Sequence, residues 1–250
     1  MAATIERSSN RARDAFGGAV AMALVAIAMT LLGFWPTFFS KLGQTDAAHM
    51  LHGVASTGWL VLVLVQALLI RSRQFRWHRV LGWCSLLLFA VLLTTSWHMM
   101  GLLLSGKGSP MPFDTAKLFI YSDVTALPLF IICYGGAILL RKDRHVHPRL
   151  MATTLLAGLL PALARAFLLI FVVTGTTGAG IEALVLAMHP TYLFVLAILA
   201  IAIVVDWRKD RLRWPFPFAF VWFAIAYATL FPGTSSHWFD QLARAIAASA

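Results

Sequence analysis

The sequence predicts an all-α integral membrane bundle of about seven transmembrane helices, with its N-terminus cytoplasmic and its C-terminus outside. Three observations predict it. Of the 250 residues 60% are hydrophobic and 12% charged, against roughly 25% charged in soluble domains, so there is too little polar surface to coat a water-soluble globule. The apolar residues come in blocks of about 18 or more, the length that crosses a hydrocarbon core of about 30 Å at about 1.5 Å per residue. The basic residues gather in short clusters between alternate blocks.

The first block runs from Phe16 to Phe39 behind Arg7, Arg11 and Arg13. It is too long for the apolar part of a signal peptide and no small-x-small cleavage site follows it, so it reads as an uncleaved first helix. The helices are predicted at 17–39, 47–70, 79–104, 116–140, 150–174, 182–205 and 215–232. The breaks between them carry turn or charge chemistry: KLGQTD, RSRQFRWHR, SGKGSPMPFD, RKDRHVHPR, TGTTGAG and DWRKDRLRWP. The seventh span is the shortest and opens with Pro215 and Pro217, residues tolerated at a helix start because the missing N–H would be unpaired there. The chain thus divides into a tail (1–16), one transmembrane domain (17–232) and an outer interfacial tail (233–250). In that last tail Trp238, Phe239, Leu242 and Ile246 share one side of a predicted helix.

Orientation follows from the twenty basic residues. Fifteen lie in the N-terminal tail and in the loops 71–79, 141–149 and 206–213, which must share a side. The opposite side holds Lys41, Lys107, Lys117 and Arg244, and Arg165 falls inside a span. The positive-inside rule places the fifteen in the cytoplasm, and the expected location is the cell inner membrane. The net charge of +10 therefore reflects insertion topology and affinity for anionic lipid, not nucleic-acid binding. Cys84 and Cys133 sit in separate apolar blocks without CxxC spacing and read as buried hydrophobes.

Ionisable groups inside a span are costly, so they usually face the bundle interior and mark function. Counting residues from the predicted helix ends puts His52 and His98 roughly 7 Å below the outer face, Asp123 and His189 roughly 10 Å, and Arg165 roughly 12 Å. His49 lies one turn above His52. On the second span His49, His52, Ser56, Trp59, Val63 and Gln66 follow a 3-4 spacing and form one stripe that faces other helices or water. Asp123 and Arg165, opposite in charge and similar in depth, are expected to touch or share a water. Tyr121, Ser122, Thr94 and Thr95 lie near the same layer. WHRVLGW and VHPRLMA, which open the third and fifth spans, are similar to each other; their His78 and His147, like His145, read as interfacial.

Neutral imidazole is the commonest metal ligand and also ligates haem iron. The leading expectation is therefore a haem or transition-metal site in the outer half of the bilayer, serving redox chemistry or metal handling. Its candidate metal ligands are His49, His52, His98 and His189. Arg165, Tyr121 and Ser56 are candidate cofactor-binding residues, and Asp123 is the candidate catalytic group or the carboxylate that orients a histidine. Two alternatives stay open. One is a metal-dependent hydrolase acting on lipid, with Asp123 as base. The other is a transporter or proton carrier that uses the Asp–Arg–His cluster, which a continuous polar path to the cytoplasmic side would favour. Expected partners are the lipid bilayer and a membrane redox partner or lipophilic substrate. P-loop, GxSxG, HExxH and dinucleotide glycine patterns do not occur.

The run HMLHGVASTGWLVLVLVQALLIRSRQFRWHRVLGW and the later HPRLMATTLLAGLLPALARAF resemble a group of bacterial multi-pass membrane proteins that pair a histidine-bearing helix with HRxLG and HxRLM helix starts. The matching residues include His49, His52, Trp59, Gln66, His78, Arg79, Gly82, His147, Arg149 and Met151, and the resemblance implies a membrane location. A looser likeness is to b-type transmembrane cytochromes, which implies histidine-ligated haem. Those proteins pair histidines on both sides of the membrane, whereas here they gather on one. A third likeness, to seven-span zinc hydrolases, implies roles for His49, His52, Ser56 and Asp123, although the seventh span here has no histidine.

Overall fold

The structure, a computed structural model, describes residues 2–108, 111–177, 181–209 and 212–250, with side chains from Gly18 onward. The basic side chains Arg7, Arg11 and Arg13, and parts of the loops SGKGSPMPFD, TGTTGAG and DWRKDRLRWP, lie outside the described residues. Among those described, all regular structure is helical.

The order is α1 (Ala2–Phe34), a 3-10 segment (Phe39–Gln44), α2 (Ala47–Arg71), α3 (Phe75–Leu104), α4 (Phe113–Leu139), α5 (Val146–Val173), α6 (Ile181–Arg208), α7 (Pro215–Ala228), α8 (Leu230–Thr234) and α9 (His237–Ala248). Five of these, α2 to α6, are long and apolar enough to cross a membrane. Gly18–Phe34 of α1 and Pro215–Ala228 are shorter apolar segments. The chain is therefore a multi-pass helical membrane protein. The predicted first helix begins earlier than expected, because residues 2–16, read as a tail, continue the helix of α1.

Local chemistry explains the ends. Asp46 caps α2: its Oδ1 accepts from the backbone N–H groups of Ala48 and His49, both at 3.0 Å, satisfying two donors that a helix N-terminus leaves unpaired. The predicted seventh span divides at Thr229. Pro232 has no N–H and its ring crowds the carbonyl of residue 228, which favours a break there, and a short new turn starts at Leu230.

Helix α5 is the axis of the bundle, packed against α1, α2, α4, α6 and α7. Its residues Leu150, Leu155, Leu156, Leu159, Leu160 and Leu163 are almost fully enclosed. α1 approaches it closely at Gly33, where an added Cβ would stand 2.1 Å from the Ala162 carbonyl oxygen. Small residues at such crossings let membrane helices meet backbone to backbone.

At the end expected to be cytoplasmic, Arg149 of α5 grips Asp206 of α6 through Nε and Nη2, at 2.5 and 2.7 Å. At the opposite end α9 lies across α3 and α4. It buries Phe239, Ala243 and Ile246, while Trp238 is exposed and Asp240 bridges Lys117 and Arg244 at 2.9 and 2.8 Å.

Candidate functional site

α4, α5 and α2 bring Asp123, Arg165 and His52 together. Asp123 and Arg165 lie deep in the bundle within electrostatic reach of each other, and Arg165 acts likewise on His52. Both charged side chains nevertheless keep some accessible surface. The expected direct contact does not form: among the described residues no ion pair joins them.

Arg165 leans on α1 and on its own helix. Its guanidinium lies 4.6 Å from the centre of the Phe34 ring, and Nη1 donates to the Pro161 carbonyl at 3.0 Å. The ring quadrupole stabilises the cation from one side. The Asp123 carboxylate has no hydrogen-bond or ion-pair partner among the described residues, so its lone pairs are available to a proton or ligand.

The hydrogen bonds of His52 define its tautomer. Thr95 donates its hydroxyl proton to the Val91 carbonyl at 2.8 Å. The 3.1 Å contact between His52 Nδ1 and Thr95 Oγ1 therefore has the histidine as donor. Nε2 is then the acceptor, 3.3 Å from the Ser56 hydroxyl. A neutral imidazole protonated at Nδ1 satisfies every group in this chain.

The other candidate residues go elsewhere. His49 Nδ1 pairs with Asp46 Oδ2 at 2.7 Å at the helix cap, where backbone N–H donors and this histidine hold the Asp46 carboxyl below its usual range. His98 is exposed on α3. His189 bonds to the Tyr227 hydroxyl at 2.8 Å and packs on Phe231. Tyr121 lies two residues from Asp123, roughly 200° around the helix; it packs on Phe239, and Gly233 is a glycine because a Cβ there would strike the tyrosine ring. The expected convergence of His49, His52, His98 and His189 is thus not found: among the described residues no group of three or more His, Cys, Asp or Glu could hold a metal ion. The four face different neighbours, and the residues present do not fit a metal centre of that composition.

Separate polar groups recur from His52 toward the other end of α2. Beyond Ser56, Trp59 is buried and donates through Nε1 to Thr154 Oγ1 at 3.2 Å. The Trp59 ring stands 5.1 Å from Tyr134, whose hydroxyl is 2.7 Å from Ser85 Oγ. Ser85 and Tyr134 open on a cavity of about 100 Å³ that also meets Gln66, His78 and His147. The rings of His78 and His147 are 6.3 Å apart and nearly perpendicular. The similarity between WHRVLGW and VHPRLMA was the one sequence signal for this pair, which the interfacial reading passed over. Asp206 had no such signal, since it lies in what read as a loop.

No family model, curated protein or solved structure matches this chain.

Proposed function

We propose that the chain is a transporter that moves protons, and that Asp123 is its proton-binding group, with Arg165 beside it and His52 within reach of Arg165. The observation that carries this is the partnerless carboxylate of Asp123, held deep in the bundle beside a cation it does not pair with. A membrane carboxylate with no structural partner is costly, and reversible proton uptake is the chemistry such a group offers. Arg165 keeps the ionised form tolerable without occupying it. Neutral His52, with one donating and one accepting nitrogen, can pass a proton between neighbours.

The polar groups spaced along α2 and its neighbours, from Ser56 through Trp59, Thr154, Tyr134 and Ser85 to the cavity of Gln66, His78 and His147, support transport, and the lack of a metal-holding group of three or more such side chains among the described residues weighs against the metal and metal-hydrolase readings. In this reading α1 and α7 are the sixth and seventh crossings, and the basic clusters favour a cytoplasmic N-terminus, an outer C-terminus and an inner-membrane location. Asp123 then lies in the outer half and the His78–His147 cavity at the inner side.

The test is proton flux. The full-length protein is reconstituted in liposomes that enclose a pH-sensitive dye, and a potassium diffusion potential set by valinomycin drives proton entry. Wild-type vesicles should acidify faster than both empty vesicles and vesicles carrying Asp123→Asn. Equal rates in all three would end the proposal.

A further inference from the structure

The cavity at the far end of α2 has a composition that suits a ligand of its own. Its walls are mainly apolar, drawn from Leu62, Val63, Ile138, Met151 and Leu155. Gln66, His78, Ser85, Tyr134 and His147 bring polar groups to it, and two of their atoms are buried without a hydrogen-bond partner: Gln66 Oε1 and His78 Nδ1. They belong to neighbouring helices and are held in place. Gln66 Nε2 donates to the His78 carbonyl at 3.1 Å, which directs Oε1 away from that bond. His147 Nδ1 is committed to the Ala137 carbonyl at 2.8 Å, whereas His78 Nδ1 has no such partner.

Leaving a buried acceptor unpaired is unfavourable, and native proteins rarely do so without a reason. The volume of about 100 Å³ approaches that of an engineered apolar cavity of roughly 150 Å³ that takes up benzene. An apolar slot of this size with an amide oxygen and an imidazole nitrogen among its lining residues suits a single aromatic ring bearing a hydroxyl. The hydroxyl would donate to Gln66 Oε1 and exchange a second hydrogen bond with His78 Nδ1, while the ring lies against Val63, Met151 and Leu155.

We infer that this cavity is a binding site for the phenolic ring of a small lipophilic molecule, recognised by Gln66 and His78. The inference is independent of proton movement at Asp123.

The probes are 4-fluorophenol and 4-fluoroanisole, which share a ring and differ in the hydroxyl donor. Binding to the full-length protein in detergent is followed by fluorine NMR, with protein-free micelles as the baseline for partitioning. Wild type should bind 4-fluorophenol saturably and about tenfold more tightly than 4-fluoroanisole, the preference one buried hydrogen bond confers. Gln66→Leu should remove most of that preference. Equal affinity of the two probes for wild type, or signals explained by micelle partitioning alone, would overturn the inference without need of any variant. An unchanged preference in a folded Gln66→Leu protein would overturn the assignment of Gln66.

Discussion

Arg149 and Asp206 form a two-pronged ion pair, Nε to Oδ2 and Nη2 to Oδ1, that ties the start of α5 to the end of α6 with both side chains largely buried. Arg149 also donates to the His145 carbonyl, so it closes the turn before α5. Removing one member of a buried pair leaves the other charge stranded, at a cost of about 3–5 kcal/mol, whereas replacing both with apolar groups is often neutral. Asp206→Leu should therefore lower the unfolding temperature in detergent sharply, and Arg149→Met with Asp206→Leu should recover most of the loss. Additive losses in the double variant would show that the two residues act separately.

Gly33 decides how close α1 comes to α5. A Cβ there would meet the Ala162 carbonyl oxygen, a backbone atom that cannot rotate away. Gly33→Leu should destabilise the protein by about 1–3 kcal/mol, the usual range for overpacking, as read by thermal unfolding. Because Phe34 faces the Arg165 guanidinium, the same variant should also impair proton flux. Wild-type stability in this variant would contradict the close packing.

How much of this was legible beforehand differs between depth and direction. The apolar blocks and their breaks marked α2 to α6 to within a few residues, because hydrocarbon thickness dictates length. Asp123, Arg165 and His52 were legible as a layer, because rise per residue converts sequence position into depth. Which way each side chain faces was not legible. His98 and His189, expected in that layer, turn toward the exterior of α3 and toward Tyr227, which depends on how neighbouring helices are rotated. The split at Thr229 was visible in Pro232, yet the strong apolar run around it read as one span. His78 and His147 read as interfacial singly; their facing arrangement exists only once the helices are packed.

α9 should loosen from α4 in acid. Hydrogen bonds from Arg244 and Lys117 hold the Asp240 carboxyl below its ordinary value of 3.8. A carboxyl whose folded value is depressed contributes stability above the unfolded value and loses it as pH falls through the folded one. Hydrogen exchange of α9 amides should therefore be unaffected between neutral pH and about pH 5 once intrinsic rates are corrected, and should accelerate as pH drops below 3.8. Asp240→Asn should show the faster exchange at every pH. An α9 whose protection ignores both acid and this substitution is held by Phe239 and Ile246 alone.

The tautomer of His52 gives a spectroscopic prediction. With Thr95 accepting from Nδ1 and Ser56 donating to Nε2, nitrogen-15 NMR of labelled protein should find Nδ1 protonated at neutral pH. Thr95→Val removes the acceptor and should yield a mixture of the two neutral forms. Protonation at Nε2 in the wild type would reverse the assigned hydrogen bonds.

Asp123 is the group on which the transport reading turns, and infrared difference spectroscopy interrogates it directly. Spectra of the reconstituted protein taken across a pH titration report the carbonyl stretch of each carboxyl that gains a proton. Expected is a protonated-carboxyl band that rises and falls reversibly with pH in wild type and is missing in Asp123→Asn. A band set identical in the two proteins would mean that Asp123 does not exchange a proton, and the proposed transport centre would be contradicted.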